Sequence, residues 1–292
     1  MDISYEYYRI FYYVAKYKNL TLAADVLHSS QPNLSRTIKI LENRFGCQLF
    51  IRSNRGIVLT AEGEQLYSHV QIAVNQLQKA EEELTMLTGL HRGSVCVGAS
   101  ETALHLLLLP ALKRFKESHP QIRVRIQNHL TTQAIQSVKQ GLVDFSVVAS
   151  PIPSLDSLKA SVLKSFQDIL IAGEAFYTLS KSPVSLQKIS QYPIICLGTH
   201  TMTYLFYDRL FRANGLNLKP EFEAATTDQI LPMVKNNLGL GFFPEELAKE
   251  ALDSGQVCQI MLKETIPTRE IFLVEQKERP LTITAEALKS FL

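Results

Sequence analysis

The fold of the N-terminal part of the chain is decided by residues 23–64, which read AADVLHSSQPNLSRTIKILENRFGCQLFIRSNRGIVLTAEGE. Two segments with helical apolar spacing flank a short polar turn at residues 28–30, and Gly46 ends the second segment. Ser30 is placed to cap the second helix, and Pro32 lies in its first turn, where a missing backbone N–H costs nothing. The stretch therefore predicts two helices joined by a tight turn.

A further helix is predicted upstream of this pair. One buried face of it is marked by the spacing of Tyr8, Phe11, Tyr12 and Ala15. Thr21 is then placed to cap the first helix of the pair. The second helix of the pair carries an apolar stripe that consists of Leu34, Ile38, Leu41 and Phe45.

The polar face of that second helix carries basic, amide and hydroxyl groups. The candidate DNA contacts at this face are Ser30, Gln31, Pro32, Asn33, Ser35, Arg36 and Lys39. In the major groove Arg pairs with guanine and Asn or Gln with adenine, while hydroxyls bind phosphate. A solvated amphipathic helix would show the same face, so this helix alone leaves both interpretations open.

Residues 48–60 predict a β-hairpin, with strands at 49–51 and 56–59. Its tip carries Arg52 and Arg55, which suit a wing that holds the phosphate backbone. The first 60 residues hold eight basic and four acidic side chains, a net +4, whereas the whole chain carries +2. Three helices followed by a basic hairpin indicate a winged helix-turn-helix that binds DNA.

The same stretch resembles the N-terminal signature of LysR-type transcriptional regulators. The matching residues are Ala23, Ala24, Leu27, Ser30, Gln31, Pro32, Ser35, Arg36, Leu41, Glu42, Gly46, Leu49, Phe50, Arg52, Arg55, Leu59, Thr60 and Gly63. The resemblance implies a sequence-specific transcription regulator that is controlled by a small-molecule effector. The partners expected of it are an operator in double-stranded DNA, the effector and a second copy of the chain, with RNA polymerase as a further candidate.

Residues 61–90 predict one long linker helix, because the segment lacks proline and its only glycines lie near its ends. Apolar residues recur along it at alternating steps of four and three. This heptad seam consists of Leu66, Val70, Ala73, Leu77, Ala80, Leu84 and Leu87. The seam predicts a homodimer, with packing on the chain's own C-terminal domain as the alternative. The resemblance implies dimerisation through this helix and tetramers built from the dimers.

Residues 91–292 predict an α/β domain, because short strands alternate with helical segments. The resemblance extends here and implies a two-lobed fold similar to periplasmic binding proteins, with crossings near Val162 and Pro267. Lobe I would then comprise 91–162 and 267–292, and lobe II 163–266. The whole chain is predicted as α + α/β, with a winged helix-turn-helix at 1–60 and the linker helix at 61–90.

A ligand in an open α/β sheet lies beyond the carboxyl ends of the strands. The residues predicted there, and hence the candidate effector contacts, are Ser100, Glu101, Thr102, Thr131, Ser150, Thr199, His200, Thr201 and Thr226. Hydroxyls and free helix amides favour an anion or a polar neutral molecule. Each Thr alone is also explained as a helix cap, and Glu101 either disfavours an anion or faces solvent.

Motifs of the common enzyme classes are missing from the sequence. The chain has no GxGxxG, no GxxxxGK[ST], no GxSxG and no HExxH, so we expect neither catalytic residues nor a cofactor. The four cysteines are too far apart for a metal site, so no metal is expected. No membrane-spanning run or secretory signal is present, which predicts a cytoplasmic protein. One alternative remains, a DNA-binding protein whose C-terminal domain only oligomerises.

Overall fold

The computed structural model describes residues 3–53, 56–87 and 93–292. The chain divides into two compact units, Met1–Thr88 and Gly89–Leu292. The N-terminal unit contains, in chain order, helix α1 (Tyr5–Tyr17), α2 (Leu20–Val26), α3 (Gln31–Phe45), strand β1 (Phe50–Ser53), β2 (Gly56–Leu59) and α4 (Ala61–Leu87). Three helices and an antiparallel hairpin make this unit a winged helix-turn-helix continued by a long helix.

The ends of α2 and α3 are set by polar side chains and by one glycine. Asn19, not Thr21, caps α2: its Oδ1 accepts hydrogen bonds from the amides of Thr21 at 2.8 Å and Leu22 at 3.2 Å. Ser30 caps α3 as predicted, its Oγ accepting from the amide of Asn33 at 3.4 Å. Gly46 ends α3 at a φ of 70°, in the left-handed region that favours glycine.

The apolar stripe of α3 packs into the core of the N-terminal unit through Leu34, Ile38 and Leu41, which are buried. Phe45 was predicted to belong to this stripe but is 38% exposed. The stripe ends one turn earlier than predicted because Phe45 lies in the last turn, just before Gly46. The core is completed from α4, whose Val70 and Val74 are buried in the same cluster.

The first two residues of the heptad seam predicted on α4, Leu66 and Val70, pack inside their own chain. Val70 is only 6% exposed, and Leu66 also packs against the N-terminal core. Tyr67 and Val74 belong to the same apolar cluster, in which α4 packs against α1. Ala73, Leu77 and Ala80 are exposed, Leu77 to 47%. The side chains of Leu84 and Leu87 lie outside the described part of the chain.

The C-terminal unit contains two five-stranded mixed sheets with helices packed on them. Its elements in chain order are β3 (Ser94–Ala99), α5 (Glu101–Ala103), a π-helical turn (Leu104–Leu108), α6 (Leu109–Ser118), β4 (Arg123–Asn128), α7 (Thr131–Lys139), β5 (Phe145–Ala149), β6 (Leu158–Phe166), β7 (Asp168–Ala172), a 3₁₀ segment (Glu174–Lys181), α8 (Leu186–Ile189), β8 (Ile194–Leu197), α9 (Met202–Ala213), β9 (Phe222–Ala224), a 3₁₀ turn (Thr227–Gln229), α10 (Ile230–Lys235), β10 (Leu240–Pro244), α11 (Glu245–Asp253), β11 (Cys258–Ile260), β12 (Arg269–Gln276) and α12 (Ile283–Lys289).

Each sheet forms the centre of one lobe. Lobe I has the strand order β4-β3-β5-β12-β6, and lobe II has the order β11-β7-β10-β8-β9. Strands β3, β4 and β5 run parallel, as do β8, β9 and β10. In each lobe the carboxyl ends of these parallel strands therefore meet at one edge of the sheet.

The chain crosses between the lobes at places that differ in part from those predicted. Strand β6 runs on to Phe166 in lobe I, where it pairs with β12, and β7 begins at Asp168 in lobe II. The first crossing is thus at Gln167, not near Val162. Val162 instead lies in the exposed middle of β6, which is an edge strand of lobe I. The second crossing falls at Thr268, next to the predicted Pro267. In the described part of the chain no helix is long and apolar enough to cross a membrane.

The first turn of α4 touches the base of the hairpin at Gly63. The Leu49 carbonyl accepts from the Thr60 amide at 3.0 Å, and the Thr60 hydroxyl accepts from the Gly63 amide at 3.0 Å. A Cβ on Gly63 would collide with that carbonyl and lie 2.9 Å from the Leu59 side chain. The close approach of hairpin and helix therefore requires glycine here.

We predict that Gly63→Ala destabilises the N-terminal unit by about 1–3 kcal/mol, because a methyl group must be forced into a filled space. Urea unfolding followed by circular dichroism measures the change. Glu64→Ala, on the exposed side of the same turn, serves as the control and should shift the transition little. Equal midpoints for Gly63→Ala and the unchanged protein would contradict the predicted packing.

Candidate DNA interface and interlobe cleft

Helix α3 presents its polar face away from the core of the N-terminal unit. The residues predicted to contact DNA that are exposed on this helix and its cap are Ser30, Gln31, Pro32, Asn33, Arg36 and Lys39. Within the described residues, Arg36 and Lys39 have no ion pair or hydrogen bond that would hold them back. Their charged ends are therefore available to a partner.

Other predicted contacts on α3 have local structural roles or lie deeper. The Ser30 hydroxyl caps the helix, and the Asn33 side-chain amide donates to the Ser29 hydroxyl at 3.0 Å. Ser35 is half-buried. These interactions leave Arg36 and Lys39 as the residues of this face with the most freedom to bind a partner.

The wing is an antiparallel hairpin in which Arg52 pairs with Ile57 and Ser53 with Gly56. The backbone of Arg52 is part of β1, but its side chain is outside the described portion of the structure. Arg55 also lies outside the described residues. The predicted contacts of these two arginines with phosphate therefore stay predictions.

Glu42 joins α3 to the wing, a role that the sequence did not reveal. Its Oε1 accepts hydrogen bonds from the backbone amides of Leu49 at 2.9 Å and Phe50 at 3.3 Å. The Thr60 hydroxyl donates to the Gln48 carbonyl at 2.7 Å and secures the other strand. The sequence shows only an acidic residue next to Leu41, which is buried. The amides that Glu42 binds are several residues away along the chain, so no local pattern indicates the contact.

A cleft of about 380 Å³ opens between the two lobes of the C-terminal unit. Lobe I supplies the segments after β3, β4 and β5, and lobe II supplies those after β8 and β9. The residues that line the cleft are Ser100, Glu101, Thr102, Asn128, His129, Leu130, Thr131, Gln133, Ala149, Leu197, His200, Thr201, Met202, Thr203, Ala225, Thr226 and Thr227. The strand ends thus converge as the parallel topology requires.

Seven of the nine predicted effector contacts line this cleft, and two do not. Ser150 lies at the crossing between the lobes, where its Oγ accepts from the Glu270 amide at 2.9 Å. Thr199 is exposed and lies outside the lining. Thr199 was predicted to line the cleft because it follows a strand end, but the loop continues to His200 and Thr201 before α9 begins. Asn128 and Thr203 also line the cleft but were not predicted from the sequence.

The hydroxyl groups of the cleft fall into two classes. The Ser100 Oγ accepts from the Ala149 amide at 2.9 Å, and the Thr201 Oγ1 donates to the Gly198 carbonyl at 2.8 Å and caps α9. Thr102 and Thr227 are buried, at 4% and 7% exposure, and their hydroxyls have no hydrogen-bond partner among the described residues. Neither oxygen is among the unpaired side-chain atoms that are shut off from solvent, so both hydroxyls reach the cleft and are available to a ligand.

The ionisable side chains among the described residues that line the cleft are one acid and two histidines, and the lining holds no Lys or Arg. Glu101 accepts from Asn128 Nδ2 and lies 2.8 Å from His105 Nε2. It is also the first residue of the continuous helical segment Glu101–Ser118, whose N-terminal amides favour a negative charge. Its carboxylate is therefore already satisfied by local partners.

Free backbone donors add to this chemistry. No side chain in the described structure caps the amides at the start of α5 or of α7, and both helices begin at the cleft. Backbone N–H groups at a helix start seek oxygen acceptors. The cleft therefore offers a surplus of hydrogen-bond donors to whatever enters it.

The described residues near the cleft do not suit a nucleophilic or a metal site. Burial raises the pKa of the Cys196 thiol, on β8, to about 12, so this group stays protonated. Within the described residues no three His, Cys, Asp or Glu side chains are grouped so as to hold a metal ion. The arrangement is suited to binding a small molecule.

Two family profiles match the sequence. One, described as "Bacterial regulatory helix-turn-helix protein, lysR family", covers residues 5–64. The other, described as "LysR substrate binding domain", covers residues 88–292. Together they span the winged helix-turn-helix and the two-lobed unit. The second profile alone covers more than half of the chain.

Individual relatives and solved structures agree with the profiles. The RuBisCO operon transcriptional regulator of Allochromatium vinosum is 23% identical over 100% of this chain and 96% of its own length. An uncharacterised HTH-type transcriptional regulator, YfeR of Shigella flexneri, is 25% identical over 99% and 92%.

Among solved structures, the LysR family regulator CbnR matches with a TM-score of 0.75 at 16% identity, covering 99% of each chain. Full-length CbnR complexed with its target DNA matches with a TM-score of 0.73 at 17% identity, covering 99% of this chain and 100% of that one. The fold, the winged helix-turn-helix and the two profiles lead to one conclusion: the chain belongs to the LysR family of transcriptional regulators.

Proposed function

We propose that the chain binds operator DNA through α3 and the wing, and that a small effector in the interlobe cleft controls this activity. One observation carries the effector part of the proposal. Thr102 of lobe I and Thr227 of lobe II are buried in the cleft, and both hydroxyls lack a partner among the described residues. A ligand that satisfies both must touch both lobes, so it stabilises the arrangement that brings them together.

The donors in the cleft define the chemistry of the effector. Helix amides and threonine hydroxyls bind oxygen acceptors, such as those of a carboxylate, a phosphate or a polar neutral molecule. With no Lys or Arg in the lining, recognition rests on these neutral donors and not on full positive charges. Glu101 does not exclude an acid, because its charge is shared with Asn128, His105 and its own helix start.

We predict that Thr102→Val leaves the free energy of unfolding unchanged or raises it slightly, because a hydroxyl with no hydrogen-bond partner among the described residues is replaced by a methyl of the same shape. Ser100→Ala, the matched control, removes the partner of the Ala149 amide and should destabilise the protein by about 1–3 kcal/mol. Urea unfolding measures both variants. A clear loss of stability in Thr102→Val would show that its hydroxyl has a structural partner.

Thr102→Val and Thr227→Val test effector binding. The unchanged protein and both variants are screened by thermal shift against small carboxylates, phosphates and sugars, since a ligand of the native state must stabilise it. The proposal expects at least one compound to raise the melting temperature of the unchanged protein and to lose that effect in Thr102→Val and Thr227→Val. Hits that stabilise all three proteins equally would place the effector elsewhere. A screen in which no compound acts would contradict the chemistry proposed for the effector and favour a C-terminal unit that only oligomerises.

DNA reading by α3 is supported by the two free basic side chains on its exposed face. We predict that Arg36→Ala weakens binding to a selected site by about 1–3 kcal/mol and relaxes base preference at one position, as expected for a base contact. Arg52→Ala should weaken all sequences alike and reduce the salt dependence of binding, as expected for a phosphate contact.

Selection from a pool of randomised duplexes, followed by titration at several salt concentrations, measures both effects. Arg9→Ala, an exposed arginine on α1 that pairs with Glu6, serves as the control. Full selectivity in Arg36→Ala would rule out α3 as the reading element.

Dimerisation through α4 is the third part of the proposal, because a regulator of this kind then reads two half-sites. The exposed residues Ala73, Leu77 and Ala80 follow one another on a face that the N-terminal core does not cover. We predict that Leu77→Glu dissociates the dimer, since a charge would enter an apolar seam. Analytical ultracentrifugation decides the point and separates dimer from tetramer. Asn75→Glu, on the other side of α4, is the control, and equal assembly of both variants would refute the seam.

A further inference from the structure

The guanidinium of Arg269 lies buried at the crossing between the lobes and binds three separate segments. Its side chain is 2% exposed. Nε and Nη2 donate to the Ser150 carbonyl at 2.8 and 2.5 Å, and Nη1 donates to Asp168 Oδ2 at 3.0 Å. Nη2 also donates to the Thr203 hydroxyl at 3.1 Å. One side chain thus joins three chain segments that are far apart in sequence.

Aromatic rings from both lobes enclose the same group. The guanidinium carbon lies 5.2 Å from the ring centre of Phe166 and 5.1 Å from that of Phe206. Phe166 is the last residue of β6 in lobe I, whereas Phe206 is on α9 in lobe II. Arg favours such contacts because its planar cation stacks on ring faces. Opening the lobes would separate the two rings and expose the charge between them.

The segments that Arg269 binds lie at both crossings and at the cleft. Arg269 begins β12 after the second crossing, and Asp168 begins β7 after the first. Ser150 follows β5 of lobe I, and Thr203 lies in the first turn of α9 in lobe II. Thr203 also lines the cleft. A continuous set of contacts therefore leads from the cleft to both points where the lobes are joined.

The carboxylate of Asp168 depends on this arrangement. Its side chain is fully buried, and Oδ2 accepts from Arg269 and from the Tyr207 hydroxyl at 2.5 Å. Oδ1 has no partner within the described structure. Burial, and next the charge of Asp168, raise the pKa of Tyr207, so its hydroxyl stays a donor. An ion this deeply buried is costly without its partner, so Arg269 cannot swing away without a penalty.

The geometry points to Arg269 as a positioning residue that sets the angle between the lobes and connects that angle to the cleft through Thr203. The Thr203 oxygen accepts from the guanidinium, which leaves its own O–H free to donate to an acceptor in the cleft. Accepting from a cation makes that O–H a stronger donor. Occupancy of the cleft and the lobe angle are then linked through one hydroxyl. Use of this linkage by an effector rests on the proposed function.

The test measures the distance between the lobes in the full-length chain without added ligand. Spin labels on p-acetylphenylalanine at Glu117 of α6 and Lys235 of α10, both exposed, avoid the native cysteines. Labelled chain is mixed with an excess of unlabelled chain to suppress distances between copies, and pulsed electron resonance should then give one narrow distribution for the unchanged protein. Arg269→Lys should broaden it or shift it by several ångströms, because an ammonium cannot hold three segments in a planar fork.

Two variants of Thr203 distinguish an effect of its hydroxyl on the lobe angle from an effect of side-chain packing. Thr203→Val removes the hydroxyl and should broaden the distribution, whereas Thr203→Ser keeps it and should match the unchanged protein. Lys164→Ala breaks an interlobe ion pair, 2.6 Å from Lys164 Nζ to Glu246 Oε2, that is partly exposed. This control should leave the distribution unchanged, because exposed ion pairs contribute little.

An unaltered distribution in Thr203→Val, with Arg269→Lys either unaltered or unfolded, would overturn the inference. If Arg269→Lys fails to fold, as circular dichroism would show, the Thr203 pair decides alone. The experiment involves no effector, so its failure would leave the proposed effector cleft standing. Failure of the thermal-shift screen would, conversely, leave the distance measurements valid as a property of the lobes.

Discussion

The ion pair between Arg269 and Asp168 is buried where the chain passes between the two lobes, and the C-terminal unit is arranged around it. Both charges are buried, which is tolerable only because they pair with each other and with further partners. Those partners come from the residue that follows β5, from β6 and from α9. The chain passes between the lobes at only two crossings, and this pair lies where both crossings meet.

The cleft beside this pair contains two kinds of hydroxyl, which differ in their hydrogen bonds and not in the burial of their residues. The hydroxyls of Ser100 and Thr201 form hydrogen bonds with backbone groups of the unit. Thr102 and Thr227 are equally buried but have no such partner among the described residues. Their oxygens are not shut off from solvent, so no hydrogen bond within the protein competes with a ligand for them. The proposed effector would use these two hydroxyls.

In the N-terminal unit, contacts within the protein hold the wing in place beside α3. Glu42 and Gly63 attach the wing to α3 and to α4, and neither residue needs to touch DNA. Helix α4 divides its surface between two tasks. Val70 and Val74 complete the core of their own chain, while Leu77 is exposed and is the proposed contact with a second copy. A helix that is amphipathic in two directions shows a pattern that a single heptad seam describes only in part.

The sequence by itself determined the family, the winged helix-turn-helix, the α/β character of the second unit and most of the cleft lining, because these follow from local periodicity, caps and strand ends. It also identified Ser30 and Gly46 at the ends of α3 correctly. Only the tertiary structure decided that Asn19 caps α2, that Val70 faces its own core, that the first crossing is at Gln167 and that Ser150 serves the junction. It alone revealed Glu42 and Arg269 as connecting residues. Their partners are distant in sequence, and no local pattern records which of two buried faces, or which distant carbonyl, a side chain will meet.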